Sequence, residues 1–178
     1  MLARTASVAA RARFSSEETA QIERSHEEQE ADHQNEAEEI ESVARALLDD
    51  SSLSMATLKK RIMDKNELSD PNTVKVVTDR TGLALYFSRA CIPNIALGKP
   101  VDLKETAIFK HIGLYAYTKD FLFTFKNLPV SNLEIIERLE QLRVLEAGYK
   151  IKVMETNLET IGVDTPEDLE KVKKKLSK

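Results

Sequence analysis

Residues 17 to about 36 contain almost nothing a core could use, and this fixes where the folded part of the chain begins. Ala20, Ile22 and Ala31 are the only apolar side chains in a stretch dominated by glutamate. That is too little buried surface to offset the cost of ordering a backbone, so the stretch reads as a solvated helix or as disordered. Charge divides the chain in the same way. Residues 1–16 carry Arg4, Arg11 and Arg13 and no acid, residues 17–50 carry thirteen acids against Arg24 and Arg45, and the remainder holds 21 basic and 17 acidic residues. The nearly balanced main part argues against broad nucleic-acid binding, which needs a clustered basic face, and leaves room for a small anionic ligand.

The first sixteen residues have the Arg-, Ala- and Ser-rich, acid-free composition of a mitochondrial or plastid transit peptide, the alternative being a disordered start. The expected organisation is therefore 1–16 outside the fold, 17–39 an acidic low-complexity segment, and 40–178 the folded domain. His26 and His33, seven residues apart, could share a helix face, but without further ligands they read as surface histidines. Cys91 is the only cysteine, which excludes an intramolecular disulfide, suits a reducing compartment and reads as a buried, inert thiol. No stretch approaches the roughly 18 consecutive apolar residues of a membrane helix.

From Ile40 the texture changes. Ile40, Val43, Ala44, Leu47 and Leu48 repeat at helical spacing, and Asp49-Asp50-Ser51-Ser52 stops the helix. Met55–Leu58 suits a short strand, and Ser69-Asp70-Pro71-Asn72 a turn. Val74–Val77 alternates and is β-branched, Asp79-Arg80-Thr81-Gly82 turns, and Leu83–Ser88 runs back, the signature of a hairpin. Residues 92–104 read as a loop, and its Gly98-Lys99-Pro100 lacks the glycines and spacing of a phosphate loop. Ile108–Tyr117 is a further strand that puts His111, Gly113, Tyr115 and Tyr117 on one side of the pleat. Lys119–Asn127 is a short aromatic helix.

Ser131-Asn132-Leu133-Glu134 is a capping box, and it opens one long helix ended by Gly148 in the left-handed region. Its buried stripe is Ile135, Leu139, Leu142 and Leu145 or Val144, with Glu137, Arg138, Glu140 and Gln141 falling away from it. Ile151–Met154 is a strand, and Thr165–Leu176 an amphipathic helix with a lysine-rich end. Between them, Gly162-Val163-Asp164-Thr165-Pro166-Glu167-Asp168-Leu169 ends a strand-like segment. Thr165 can cap the helix, Pro166 suits its first turn and Asp168 can reach back to the cap, which leaves Asp164 without a capping duty. A carboxylate just before a helix at a strand's carboxyl end is where a metal or a metal-bound phosphate is held, although a loop aspartate accepting backbone hydrogen bonds is the plainer alternative.

Five runs, in this order, carry a resemblance: Val74-Lys75-Val76-Val77; Ala84–Ala90 with Ile92-Pro93; Lys110-His111-Ile112-Gly113-Leu114-Tyr115-Ala116-Tyr117; Leu139-Glu140-Gln141-Leu142-Arg143 with Leu145-Glu146; and Gly162–Leu169. Over roughly residues 40–176 the chain resembles the carboxy-terminal half of the 3-deoxy-manno-octulosonate (KDO) cytidylyltransferases. The resemblance implies an α/β fold, part of the Rossmann-like nucleotide-diphospho-sugar transferase fold, with a mixed sheet and flanking helices. It implies transfer of CMP from CTP to KDO with release of pyrophosphate, with Mg²⁺ as cofactor, in a protein that pairs as a homodimer or with a full-length copy and works in the cytoplasm, or in the mitochondrion if residues 1–16 are a transit peptide. By motif position His111 and Tyr115 would contact the sugar, Glu140 and Gln141 would bind its hydroxyls, Arg89 would lie near its carboxylate, and Asp164 would ligate the metal.

Elementary chemistry agrees in type, since a sugar acid needs a cation for its carboxylate and acceptors for its hydroxyls. Each residue also has a plainer reading: Arg89 paired with a nearby acid, Tyr115 merely packed, His111 a satisfied core histidine, Glu140 and Gln141 a solvated helix face. The family's Leu-Pro-Gly-Lys-Pro and Gln-Gly-Asp-Glu-Pro runs, which hold the CTP phosphates and a second metal ligand, have no counterpart in this sequence. The incomplete sheet should leave a strand edge exposed. A second function therefore stands beside the first, a catalytically inactive homologue that acts as a sugar-binding or dimerisation module.

Overall fold

The computed structural model describes residues 37–95, 102–157 and 173. Chain contacts divide it into two compact units, residues 1–38 and 39–178, and the second holds the fold described below. The transit-like residues 1–16, His26 and His33, Gly98-Lys99-Pro100, Asp164 and its run, and all of the terminal helix but residue 173 lie outside the described residues.

Five strands form one mixed sheet: β1 (Met55–Arg61), β2 (Lys75–Thr78), β3 (Ala84–Ser88), β4 (Phe109–Tyr117) and β5 (Lys152–Glu155), in the order β3-β2-β4-β1-β5. All pairs are antiparallel except β1–β5. Strand alternation then sorts the side chains into two cores. Met55, Val76, Phe87 and Val153 face one side, where Phe121, Leu139, Leu142, Val144 and Ile151 complete the core. Ala56, Leu58 and Ile112 face the other and pack under Val43 of helix α1, residues 37–49. On the first side lie α3 (Lys119–Asn127), α4 (Asn132–Glu137) and α5 (Gln141–Glu146); a short α2 (Lys65–Ser69) follows β1. The α/β class, the hairpin and the aromatic helix follow the expected pattern. Thr118 and Ser131 cap α3 and α4 through their side chains, the latter in a complete capping box.

Four features depart from expectation. Lys75, the one charged residue of the run Val74–Val77, is fully buried, and its ammonium donates to the carbonyls of Asp70 (2.9 Å) and Thr73 (2.6 Å) at the preceding turn. Burial lowers its pKa from the ordinary lysine value. Cys91 is half-buried rather than enclosed. The outer edge of β5 is partly covered, because Ala84 N donates to Ile151 O at 2.9 Å and Val153 N to Gly82 O at 2.8 Å. Gly82 makes this approach with φ at 79°, and a Cβ there would sit 3.3 Å from Lys152 Nζ.

The largest departure is the expected long helix, which is two helices. Arg138 sits between them in the left-handed region (φ 56°, ψ 49°), and Leu139 N bonds back to Glu134 O in a helix-ending pattern usually built on glycine. Breaking here turns the second helix so that Leu139, Leu142 and Val144 enter the core, while Ile135 is left 65% exposed and Gln141 becomes buried. Gly148 does take the left-handed conformation, with φ at 83°.

Candidate functional site

The face of β4 toward α5 carries a row of rings. His111 meets Phe87 edge-on (5.1 Å between centroids) and Tyr115 at 5.3 Å; Tyr115 stacks on Tyr117 and Tyr117 on Phe125, each at 5.9 Å. The alternation that placed His111, Tyr115 and Tyr117 on one side is borne out. Between His111 and Tyr115 the pairing register with β1 slips, since Thr57 lies opposite Tyr115 and Leu58 opposite Ile112. Gly113 falls in this bulge, where a Cβ would meet nothing within 4 Å, so the backbone there borders open space.

Burial governs the electrostatics of the row. It pushes the His111 pKa down to about 4, so the ring is neutral at physiological pH. It pushes the Tyr115 hydroxyl well up, and Tyr117 and Glu140 add to the effect, so Tyr115 keeps its proton. Glu140 acts electrostatically on both Tyr115 and Tyr117, which ties the start of α5 to the row; the residue itself is exposed. The arrangement is a neutral imidazole, a protonated phenol and a carboxylate, with the buried Gln141 amide next in the chain: groups that recognise hydroxyls.

Because the folded pKa of His111 lies below the ordinary 6.5, the unfolded chain binds the extra proton first as pH falls. Its contribution to stability is complete above pH 6.5 and is lost as pH falls toward about 4. The unfolding free energy of the full chain, from urea titrations, should therefore fall in this window by on the order of 1 kcal/mol per pH unit, and His111→Gln should flatten that slope.

Arg89 has a different setting. Its Nε donates to Glu137 O at 3.0 Å, Nη1 to Pro71 O at 3.0 Å and Nη2 to Arg138 O at 3.4 Å. A guanidinium has five N–H groups, so these three acceptors do not exhaust it. The Glu137 carboxylate accepts in return from Ser88 Oγ (2.6 Å) and Arg89 N (3.0 Å), with Tyr86 OH at 3.5 Å. The end of β3 is thus fastened to the helix break, and through it to Glu140 and Gln141. The expected set is therefore brought together in part: His111 and Tyr115 touch, Glu140 acts on Tyr115, Gln141 follows it in the chain, and Arg89 is bonded to the helix break that precedes them.

The family model described as "Cytidylyltransferase" matches residues 20–153. The chain belongs to the cytidylyltransferase family. It is 51% identical over 146 residues to the 3-deoxy-manno-octulosonate cytidylyltransferase of Geotalea uraniireducens, covering 78% of this chain and 58% of that protein. Against the 3-deoxy-manno-octulosonate cytidylyltransferase of Solibacter usitatus it is 53% identical over 133 residues, covering 75% and 51%. A solved structure of CMP:2-keto-3-deoxy-manno-octonic acid synthetase complexed with CTP superposes with a TM-score of 0.67 at 40% identity, over 78% of this chain and 55% of that one. The fold is thus that of a nucleotide-sugar transferase, and the chain spans a little over half the length of the relatives it matches.

Cytidylyltransferases generally use a divalent metal. Among the described residues no group of three or more His, Cys, Asp or Glu could hold a metal ion, and no helix is long and apolar enough to cross a membrane. Two residues that bond to the expected site residues were not singled out from the sequence. Thr57 read as one position of the short strand Met55–Leu58, and Glu137 as a helix residue falling away from the buried stripe. Both act on residues about fifty positions away, and no local signal marks such partners.

Proposed function

We propose that the row of His111 and Tyr115, with Glu140 and Gln141 at the start of α5, is the sugar-acid side of a site that transfers CMP from CTP to KDO, giving CMP-KDO and pyrophosphate. The observation that carries this reading is a neutral His111 and a protonated Tyr115 in ring contact at 5.3 Å on the strand whose bulge holds Gly113. Neutral donors and acceptors of this kind, with the Glu140 carboxylate as a further acceptor, suit several hydroxyls in a row. The N–H groups of Arg89 not spent on carbonyls would meet the sugar carboxylate. Asp164 would hold Mg²⁺, whose part in such transfers is to neutralise charge that builds on the leaving pyrophosphate. Homodimerisation, or pairing with a longer copy, and a cytoplasmic location, where a single thiol stays reduced, go with this reading.

Calorimetric titration of KDO into the full chain tests the sugar side. Binding is expected, weakened about tenfold by Gln141→Ala through loss of one or two hydrogen bonds, with Leu85→Ala, at an exposed position of β3, unaffected. No heat, or equal heats for all three proteins, would sink the sugar assignment. Pyrophosphate release with CTP, KDO and Mg²⁺, compared with Asp164→Ala, separates the transferase from the inactive sugar-binding or dimerisation module.

A further inference from the structure

We infer that Thr57 is the positioning residue that fixes His111 as its Nε2–H tautomer, so that His111 meets a ligand through Nδ1, as a hydrogen-bond acceptor that selects a hydroxyl over a carboxylate or phosphate oxygen. The inference rests on the sugar-side reading above and deepens it by naming the polarity of one contact.

The argument is a count of protons. Thr57 is fully buried on the interior strand β1, and its Oγ1 has three polar neighbours: His111 Nε2 at 2.9 Å, Ile112 O at 3.1 Å and Leu114 O at 2.8 Å. Two of these are carbonyl oxygens and can only accept. A hydroxyl has one proton to give. Were it given to His111 Nε2, the oxygen would face two carbonyl oxygens at 2.8 and 3.1 Å with nothing between them. The proton therefore goes to a carbonyl, Leu114 O being the nearer, and Thr57 Oγ1 must accept from Nε2–H. A neutral imidazole with its proton on Nε2 has its lone pair on Nδ1.

The bulge makes this possible. The slipped register between Thr57 and Leu58 turns both Ile112 O and Leu114 O onto one hydroxyl, where a regular ladder would keep such carbonyls for strand pairing. Burial, which keeps the ring neutral, excludes the doubly protonated form that would donate from both nitrogens. The anionic parts of a ligand must then be met elsewhere than at His111, and its hydroxyl here.

Long-range proton–nitrogen NMR correlations read the tautomer directly in the full chain, where only His26 and His33 share the spectrum and His111→Gln gives the assignment. At pH 7 the His111 Nε2 should be of the protonated, pyrrole type and Nδ1 of the bare, pyridine type. Thr57→Val keeps the branched shape and removes the hydroxyl, and should lower the Nε2–H to Nδ1–H ratio about fivefold or more, the equivalent of one hydrogen bond; Thr57→Ser should restore it. Nδ1–H as the major form, or an unchanged ratio in Thr57→Val, overturns the inference. Thr57→Ala takes the place of the valine variant if that chain does not fold. Added KDO should move the Nδ1 shift, and movement of Nε2 instead would also overturn it. If KDO moves neither nitrogen while the Thr57 results hold, the sugar reading fails and the tautomer assignment stands.

Discussion

Replacing Arg143 by alanine should destabilise the domain by about 3 kcal/mol, read as a lower urea midpoint. Arg143 grips the Glu134 carboxylate with two of its nitrogens, Nε at 2.6 Å and Nη2 closer still, and its guanidinium lies 5.4 Å from the Phe125 ring centre. Glu134 is 9% exposed, so truncating its partner leaves a buried carboxylate supported only by the amide of Ser131 and removes the stem that packs on Phe125. The effect should depend on pH. The Arg143 hydrogen bond is the main cause that holds the Glu134 carboxyl below its usual 4.5, so the pair's contribution is complete above that value and disappears as pH falls through the lower folded value. Arg143→Ala should therefore lose stability at pH 7 and show less further loss in acid. A double-mutant cycle with Glu134→Ala should give a coupling of about 2 kcal/mol; additive losses would mean that the pair is mere proximity.

Glu137→Ala should cost about the same, roughly 3 kcal/mol, for a different reason. Its carboxylate is the acceptor for the Ser88 hydroxyl, on a residue 2% exposed, and for the Arg89 amide. Removing it orphans a buried donor and loosens the contact that offsets the left-handed Arg138, a conformation that costs a non-glycine residue on the order of 1 kcal/mol. Glu137→Gln keeps one acceptor oxygen and should fall between the two. The alanine variant should also weaken KDO binding, since Glu140 and Gln141 follow directly from the break. A stable Glu137→Ala chain with unchanged binding would show that the fastening is incidental to the site.

These two clusters also mark where the sequence stopped being informative. Between Ser131 and Gly148 there is no glycine or proline, every local preference favours a continuous helix, and the capping box and the left-handed Gly148 were both legible. What breaks the helix is Glu137 meeting Ser88 and Arg89 across 48–49 residues, with Arg89 returning bonds to the carbonyls of Glu137 and Arg138. Ile135 and Gln141 exchange their expected exposures as a result.

The site divides along the same line. Period-two alternation placed His111, Tyr115 and Tyr117 on one face of β4, because side-chain direction in a strand is set by the backbone of that strand alone. The family motifs named the residues that compose the row. The sequence by itself thus determined the strands, the hairpin turn, the caps and the face on which the rings stand, all of which depend on neighbours a few positions apart. Only the tertiary structure decided that Lys75 is buried against two carbonyls, that β5 is partly covered by the chain at Gly82–Ala84, and that Thr57, 54 residues from His111, sits against its ring. Each of these needs two segments to meet in space, and the energy that selects the meeting is paired buried polar groups, which no local pattern of hydrophobicity encodes.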